Sequence, residues 1–125
     1  MIVDEIRLYG TTTSLGALTV NAEYAIMGEI VAIAWIDGDL ADNVTAVIST
    51  QGAPASQTIM SIGAAEGDDD VIFYPRHLIY DEGADVLLGT AGGDRALPLA
   101  VGKLRMVIAA GGDEKSGGCI VYYRE

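Results

Sequence analysis

The sequence predicts an all-β protein, an antiparallel β-sandwich of seven to nine short strands with a jelly-roll-like arrangement. Short apolar runs rich in β-branched residues recur along the chain, and such runs are typical of strands. Gly, Asp, Asn and Pro separate the runs, with 16 Gly and 3 Pro, which indicates turns. No segment has a convincing helical pattern. The 125 residues contain no dividing linker, so we expect one domain over residues 1–125.

The first half of the chain contains four predicted strands. Residues 2–8 and 15–23 form the first two. The stretch 1–14 is either an edge strand or an arm that adds a strand to a neighbour's sheet. Residues 28–36 form the strongest run, and both of its faces are apolar. This predicts a central strand that is covered on both sides. Residues 44–50 alternate between apolar and more polar positions.

The second half contains shorter runs and one long alternating pair. Residues 58–62 form a strand after a loop at 52–54, and residues 71–74 form a strand that ends at Pro75. The stretch 81–96 is rich in Gly and Asp, and we expect it to be irregular with a short strand at 86–88. Residues 103–110 and 119–123 are predicted to form a hairpin around a glycine-rich turn.

Charge and targeting signals exclude several classes of partner. Lys and Arg total 7 against 18 Asp and Glu, which gives a net charge of −11. This balance argues against nucleic acid and against an anionic membrane surface, because both require clustered cations. The acidic start of the chain is unlike a signal peptide, and no apolar run is long enough to span a bilayer. We therefore expect a soluble protein that is made in the cytoplasm.

Two acidic segments are the densest groups of oxygen ligands. Asp37, Asp39 and Asp42 resemble part of a calcium loop, but Ala41 occupies the position where an EF-hand requires a third acid. The better interpretation is a solvated turn whose carboxylates accept hydrogen bonds from backbone N–H groups, so we expect no metal. The run 68–70 is interpreted as a solvated loop, or as a surface for a basic partner.

No catalytic constellation is present in the sequence, so we expect a protein that is neither an enzyme nor dependent on a cofactor. The glycine-rich turn lacks a phosphate-loop pattern. His77 is the only histidine, and no nucleophile-elbow motif accompanies it. Cys119 alternates with apolar neighbours and is expected to be buried and inert. Trp35 is expected to anchor the core. The tyrosines could form a binding face or cover a sheet edge; these are Tyr74, Tyr80, Tyr122 and Tyr123.

Three segments together resemble a known group of proteins. They are residues 35–42, residues 74–76, and the stretch from Gly102 through Gly111-Gly112 to Tyr122. The chain resembles small virion proteins of tailed bacteriophages, and in size and strand pattern it is similar to head decoration, or cement, proteins. The resemblance covers residues 26–124, and its motifs are structural rather than catalytic.

The resemblance implies a β-sandwich on the outer capsid shell of a bacteriophage. Such a capsid decoration protein would bind the major capsid protein as a homotrimer and bridge neighbouring capsomers. Its location would be the capsid surface of the virion, after synthesis in the host cytoplasm. The alternative is another structural component of the virion, in the tail or the head–tail region, whose β-sandwich binds protein or carbohydrate. A small hydrolase is a third class, for which the sequence offers no nucleophile–base pair.

Overall fold

The computed structural model describes residues 2–51, 57–78 and 95–125, with the backbone alone at 77–78 and 95–96. Every regular element in these residues is a β-strand, and every strand pair is antiparallel, which confirms the all-β class. The nine strands are β1 (Asp4–Thr11), β2 (Leu18–Ile36), β3 (Thr45–Gln51), β4 (Gln57–Ile62), β5 (Val71–Phe73), β6 (His77–Leu78), β7 (Arg95–Ala96), β8 (Leu99–Ala109) and β9 (Ser116–Arg124).

Seven of these strands form one sheet, and the order of its strands is β1-β9-β2-β8-β3-β4. Strand β5 also pairs with β2, while β6 and β7 form a separate two-stranded sheet. Strands from both ends of the large sheet contribute side chains to one buried cluster. The sheet must therefore curve around a single core, as a sandwich-like β-protein does.

Strand β2 corrects the prediction of separate strands at 15–23 and 28–36. It is one strand of 19 residues, and the segment between the two predicted runs contains no turn. Its first part pairs with β8, and its last part pairs with β9 and β5. Irregular register between Asn21 and Ala25, and again between Ile30 and Ala32, marks two bulges. Bulges bend a strand, and so one continuous strand can serve both halves of the sheet.

The predicted hairpin of residues 103–123 is wrong. Both strands exist, but β8 pairs with β2 and β3, whereas β9 pairs with β1 and β2. Strand β2 lies between them in the sheet. The glycine-rich turn therefore joins strands that are not neighbours in the sheet. Alternation within each strand could not reveal this, because it is the same for either partner.

The core follows the predicted alternation of the strands. Val44, which directly precedes β3, and Ala46 and Ile48 within β3 are buried, as are Leu104, Met106 and Ile108 along β8. Strand β1 contributes Ile6 and Leu8 to the same core. The N-terminal segment is therefore an edge strand of this chain's own sheet, rather than a free arm. The predicted loop at 52–54, the strand at 86–88 and most of the irregular stretch 81–96 lie outside the described residues.

Candidate interaction surfaces

The two acidic segments meet at one end of the sheet. Asp70 Oδ1 accepts a hydrogen bond from the backbone N–H of Asp37 at 2.8 Å, and Asp68 Oδ1 accepts one from Asn43 at 2.8 Å. Asp39 accepts one from the backbone N–H of Ser116. Of the carboxylates of the turn itself, Asp39 accepts a backbone hydrogen bond as predicted, whereas the two caps on the turn come from Asp68 and Asp70. The run 68–70 differs from a purely solvated loop, because two of its three carboxylates fix the neighbouring turn.

Asp37 is the residue whose ionisation this arrangement disfavours. Its pKa is raised above the ordinary value by burial first, and then by the negative charges of Asp70, Asp68, Asp69 and Asp42. In the described part of the chain, the Oδ1 atom of Asp37 is buried and has no hydrogen-bond partner. Burial without a partner disfavours the charged form of a carboxyl group. This end of the sheet therefore concentrates negative charge that the fold only partly compensates.

The calcium candidates do not form a ligand set. Within residues 2–51, 57–78 and 95–125, no group of three or more His, Cys, Asp or Glu side chains could hold a metal ion. The carboxylate of Asp39 is used by the backbone of Ser116, and Asp42 is exposed. The acidic end is thus a polar surface held by backbone hydrogen bonds.

The reactive and aromatic candidates are mostly parts of the core. Trp35 is 1% exposed, and its indole N–H donates to the carbonyl of Gly67 at 2.9 Å. Cys119 is buried, and burial raises the pKa of its thiol to about 12, so it is unreactive at neutral pH. The side chains of His77 and Tyr80 lie outside the described residues.

The remaining tyrosines do not share one face. Tyr123 is buried in the core, whereas its neighbour Tyr122 points to the other side of β9 and is half-buried. A hydrogen bond with Tyr24, together with burial, raises the pKa of Tyr123 to about 12. Tyr74 is exposed and follows β5. The proposed aromatic binding face is therefore not formed by these residues, and the contact between Tyr24 and Tyr123 had no signal in the sequence.

An apolar surface covers the outer side of β9, β2 and β5. We call it the apolar outer face and define it by Ala34, Ile36, Ile72, Ile120 and Tyr122. Ala34 lies between Ile120 on one neighbouring strand and Ile72 on the other. Ile72 is 53% exposed, and the other four are half-buried. The outer side of this central strand is covered at Ala32, which is buried, and only in part at Ala34 and Ile36. The prediction that the strand is covered on both sides therefore holds in part on this side.

Charged residues border the apolar outer face on two sides. Strand β1 places Glu5 opposite Tyr122 and Arg7 opposite Ile120. At the end of the strands, Ile36 is followed directly by Asp37, and Asp70 directly precedes β5. An apolar centre with a polar rim is the usual composition of a protein–protein interface. In the sequence, this surface is indicated by the apolar second face of residues 28–36, which predicts a strand with another layer packed over it.

An open cleft of about 330 Å³ lies between β1 and the first part of β2. Its walls are Glu5, Ile6 and Arg7 on one strand and residues 20–24 on the other.

The described residues contain no helix with the length and apolar character needed to cross a membrane. Comparisons with models of protein families, with curated proteins and with solved structures found no match.

Proposed function

We propose that this chain is a structural protein of a tailed-bacteriophage virion, namely a capsid decoration protein. In this role it binds the outer shell formed by the major capsid protein and stabilises the shell by bridging capsomers. It acts as a binding protein, as a homotrimer on the capsid surface, without catalysis and without a cofactor. The observation that carries the proposal is the apolar outer face with its charged border.

The apolar outer face supports binding because it lies on the regular strands of the large sheet. Partly exposed apolar surface that is bordered by polar residues often marks a protein–protein contact, and here Ile72 is exposed while the other four residues are half-buried. Three adjacent strands hold the face in a fixed shape, so little conformational entropy is lost when a partner covers it. A shell-binding protein has the same requirement, since its contact must persist while the shell is under pressure from within.

The order of strand pairs also supports the proposal. If the two parts of β2 are counted as separate strands, one set of pairs is β1–β9, β9–β2 and β2–β5, and the other is β2–β8, β8–β3 and β3–β4. This is the pairing order of an eight-stranded jelly roll, which we propose as the description of the fold. Jelly rolls occur in viral capsid proteins and in lectins, so the topology alone favours neither.

The position of the single tryptophan favours a protein partner over a carbohydrate. Sugar-binding β-sandwiches often use an exposed aromatic platform, and Trp35 cannot supply one because it is buried beneath Gly67; Tyr9, Tyr24 and Tyr74 are the exposed aromatics of the described residues. The acidic end of the sheet adds a surface that repels DNA and other negatively charged particles. Both features fit a protein that covers a shell and presents its acidic surface outward.

Binding to capsids that have been stripped of accessory proteins tests the proposal. Wild-type protein should bind such capsids saturably, and Ile72→Asp should abolish binding because it places a charge on the most exposed residue of the contact. Val101→Asp is the matched control, because Val101 is 50% exposed on β8, outside the apolar outer face. Circular dichroism and thermal melting must show that both variants are folded.

Two outcomes would contradict the proposal. If wild-type protein ignores the capsids, the decoration role is wrong, and a tail or head–tail component becomes the better hypothesis. If Ile72→Asp and Val101→Asp bind equally well, the apolar outer face is not the contact. Capsids lacking the protein should also rupture at a lower temperature than complete capsids.

A further inference from the structure

Among the described residues, strand β1 pairs with another strand on one side only, so its other edge is free. It pairs with β9 on one side, and on its other side it borders the cleft between β1 and β2. Residues 5–7 line this cleft, and both Glu5 and Arg7 are exposed. A free edge carries unpaired backbone N–H and C=O groups, which can pair with another strand.

The register of β1 shows which residues carry those groups. Thr12 follows β1, and its backbone N–H donates to the carbonyl of Lys115 at 2.8 Å, in the same register as the β1–β9 ladder. In an antiparallel ladder, hydrogen-bonded and non-hydrogen-bonded pairs alternate. The even-numbered residues of β1 therefore bond to β9. Glu5, Arg7 and Tyr9 direct their N–H and C=O groups to the free edge.

The solvent-facing side chains of this strand complement a second copy of themselves. With Ile6 and Leu8 in the core, the opposite side of the strand presents Glu5, Arg7 and Tyr9, and all three are exposed. When two such strands run antiparallel about an axis at Ile6, each Glu5 lies opposite the Arg7 of the other copy. The same register brings Tyr9 opposite Val3, which is also exposed.

We propose that two copies of this chain pair through their β1 edges, about a two-fold axis at Ile6. The contact is isologous, so every interaction occurs twice. Each Glu5–Arg7 pair forms an ion pair on the solvent side and exchanges two backbone hydrogen bonds, because both residues direct those groups to the edge. The backbone gives the affinity, and the alternating side chains set the register.

Charge complementarity selects a second copy as the partner at this edge. The whole chain has a net charge of −11, which opposes most contacts between copies. Glu5 and Arg7 compensate each other only when the opposite strand has the same order of charges and runs antiparallel. A two-fold contact does not close a trimer, so this contact is separate from the proposed threefold assembly and holds whether or not the chain binds a capsid.

Charge reversal tests the contact directly. Arg7→Glu and Glu5→Arg each place like charges opposite one another twice, so each should weaken self-association by about tenfold or more. The double variant Glu5→Arg/Arg7→Glu restores opposite charges and should self-associate like wild type. An equimolar mixture of the two single variants should form a mixed dimer, because every arginine then faces a glutamate.

Sedimentation over a concentration series measures these dissociation constants, and circular dichroism checks that each variant is folded. Lys103→Glu is the matched control, since it makes the same change of charge on the exposed surface of β8, and it should leave the dissociation constant unchanged. A wild-type protein that stays monomeric at every concentration would overturn the proposal. So would equal self-association of Arg7→Glu and wild type, or a mixture that fails to pair.

Discussion

Replacing Trp35 with phenylalanine should lower the free energy of unfolding by about 3 kcal/mol. The indole N–H donates to the carbonyl of Gly67 at 2.9 Å, and both residues are buried. Phenylalanine cannot donate, and a buried acceptor left without a partner costs about 1–3 kcal/mol. The smaller ring also leaves a void beside Val44 and Ile62, whose side chains line the same site near Gly67. This void costs about 1 kcal/mol more.

Equilibrium unfolding in urea measures the change. Trp35 is the only tryptophan, so the far-ultraviolet circular dichroism signal must replace fluorescence as the probe. With an m-value of about 2 kcal/mol per molar urea, the midpoint should fall by about 1.5 M. Tyr74→Phe is the control, because Tyr74 is 62% exposed, and its midpoint should not move. A fall of less than about 0.5 M for Trp35→Phe would refute the reasoning, because the buried carbonyl would then have another partner.

Two further predictions concern pH. Burial raises the pKa of Cys119 from 9.0 to about 12, so the folded state favours the neutral thiol more than the unfolded state does. The free energy of unfolding is therefore unaffected by the titration of this group below pH 9 and falls as the pH rises toward 12. That loss amounts to about 4 kcal/mol. Cys119→Ala should flatten this part of the curve of urea midpoint against pH, and an unchanged slope would contradict the assignment. The pKa of Asp37 is also raised, by burial and by neighbouring carboxylates, so its ionised form opposes folding at neutral pH. Asp37→Asn should therefore raise the melting temperature at pH 7, with the difference closing as the pH falls toward the ordinary carboxyl pKa of 3.8. A lower melting temperature for the variant at pH 7 would show that the carboxylate makes a favourable contact instead.

The negative end of the sheet and its apolar outer face are best considered together. Asp37 and Asp70 are joined by a hydrogen bond directly beyond Ile36. Any partner that covers the apolar outer face therefore meets concentrated negative charge at one border. Complementary positive charge on that partner would speed association and fix its orientation. The same charge would repel acidic surfaces, including other copies of this chain.

Local pattern was sufficient to predict most of the long strands, although it divided β2 in two. The alternation of Val44, Ala46 and Ile48 identifies a strand and its buried side, because successive side chains point to opposite faces. The same holds for Leu104, Met106 and Ile108. The backbone hydrogen bond accepted by Asp39 was also predictable, since Asp favours such hydrogen bonds in turns. What residues 37–43 could not show is that the second acidic segment, some thirty residues later, supplies two of the caps.

By itself, the sequence determined the all-β class, the alternation of β3 and β8 and the acidic character of the chain, because these depend on composition and on a period of two residues. Only the tertiary structure decided which strands pair. It inserted β2 between β8 and β9, and it paired β1 with β9 across most of the chain length. The physical reason is that strand pairing depends on backbone hydrogen bonds, which every residue except proline can form. The choice of partner is made by the packing of the whole core, and within residues 2–51, 57–78 and 95–125 this packing leaves the apolar outer face partly covered and the second edge of β1 unpaired.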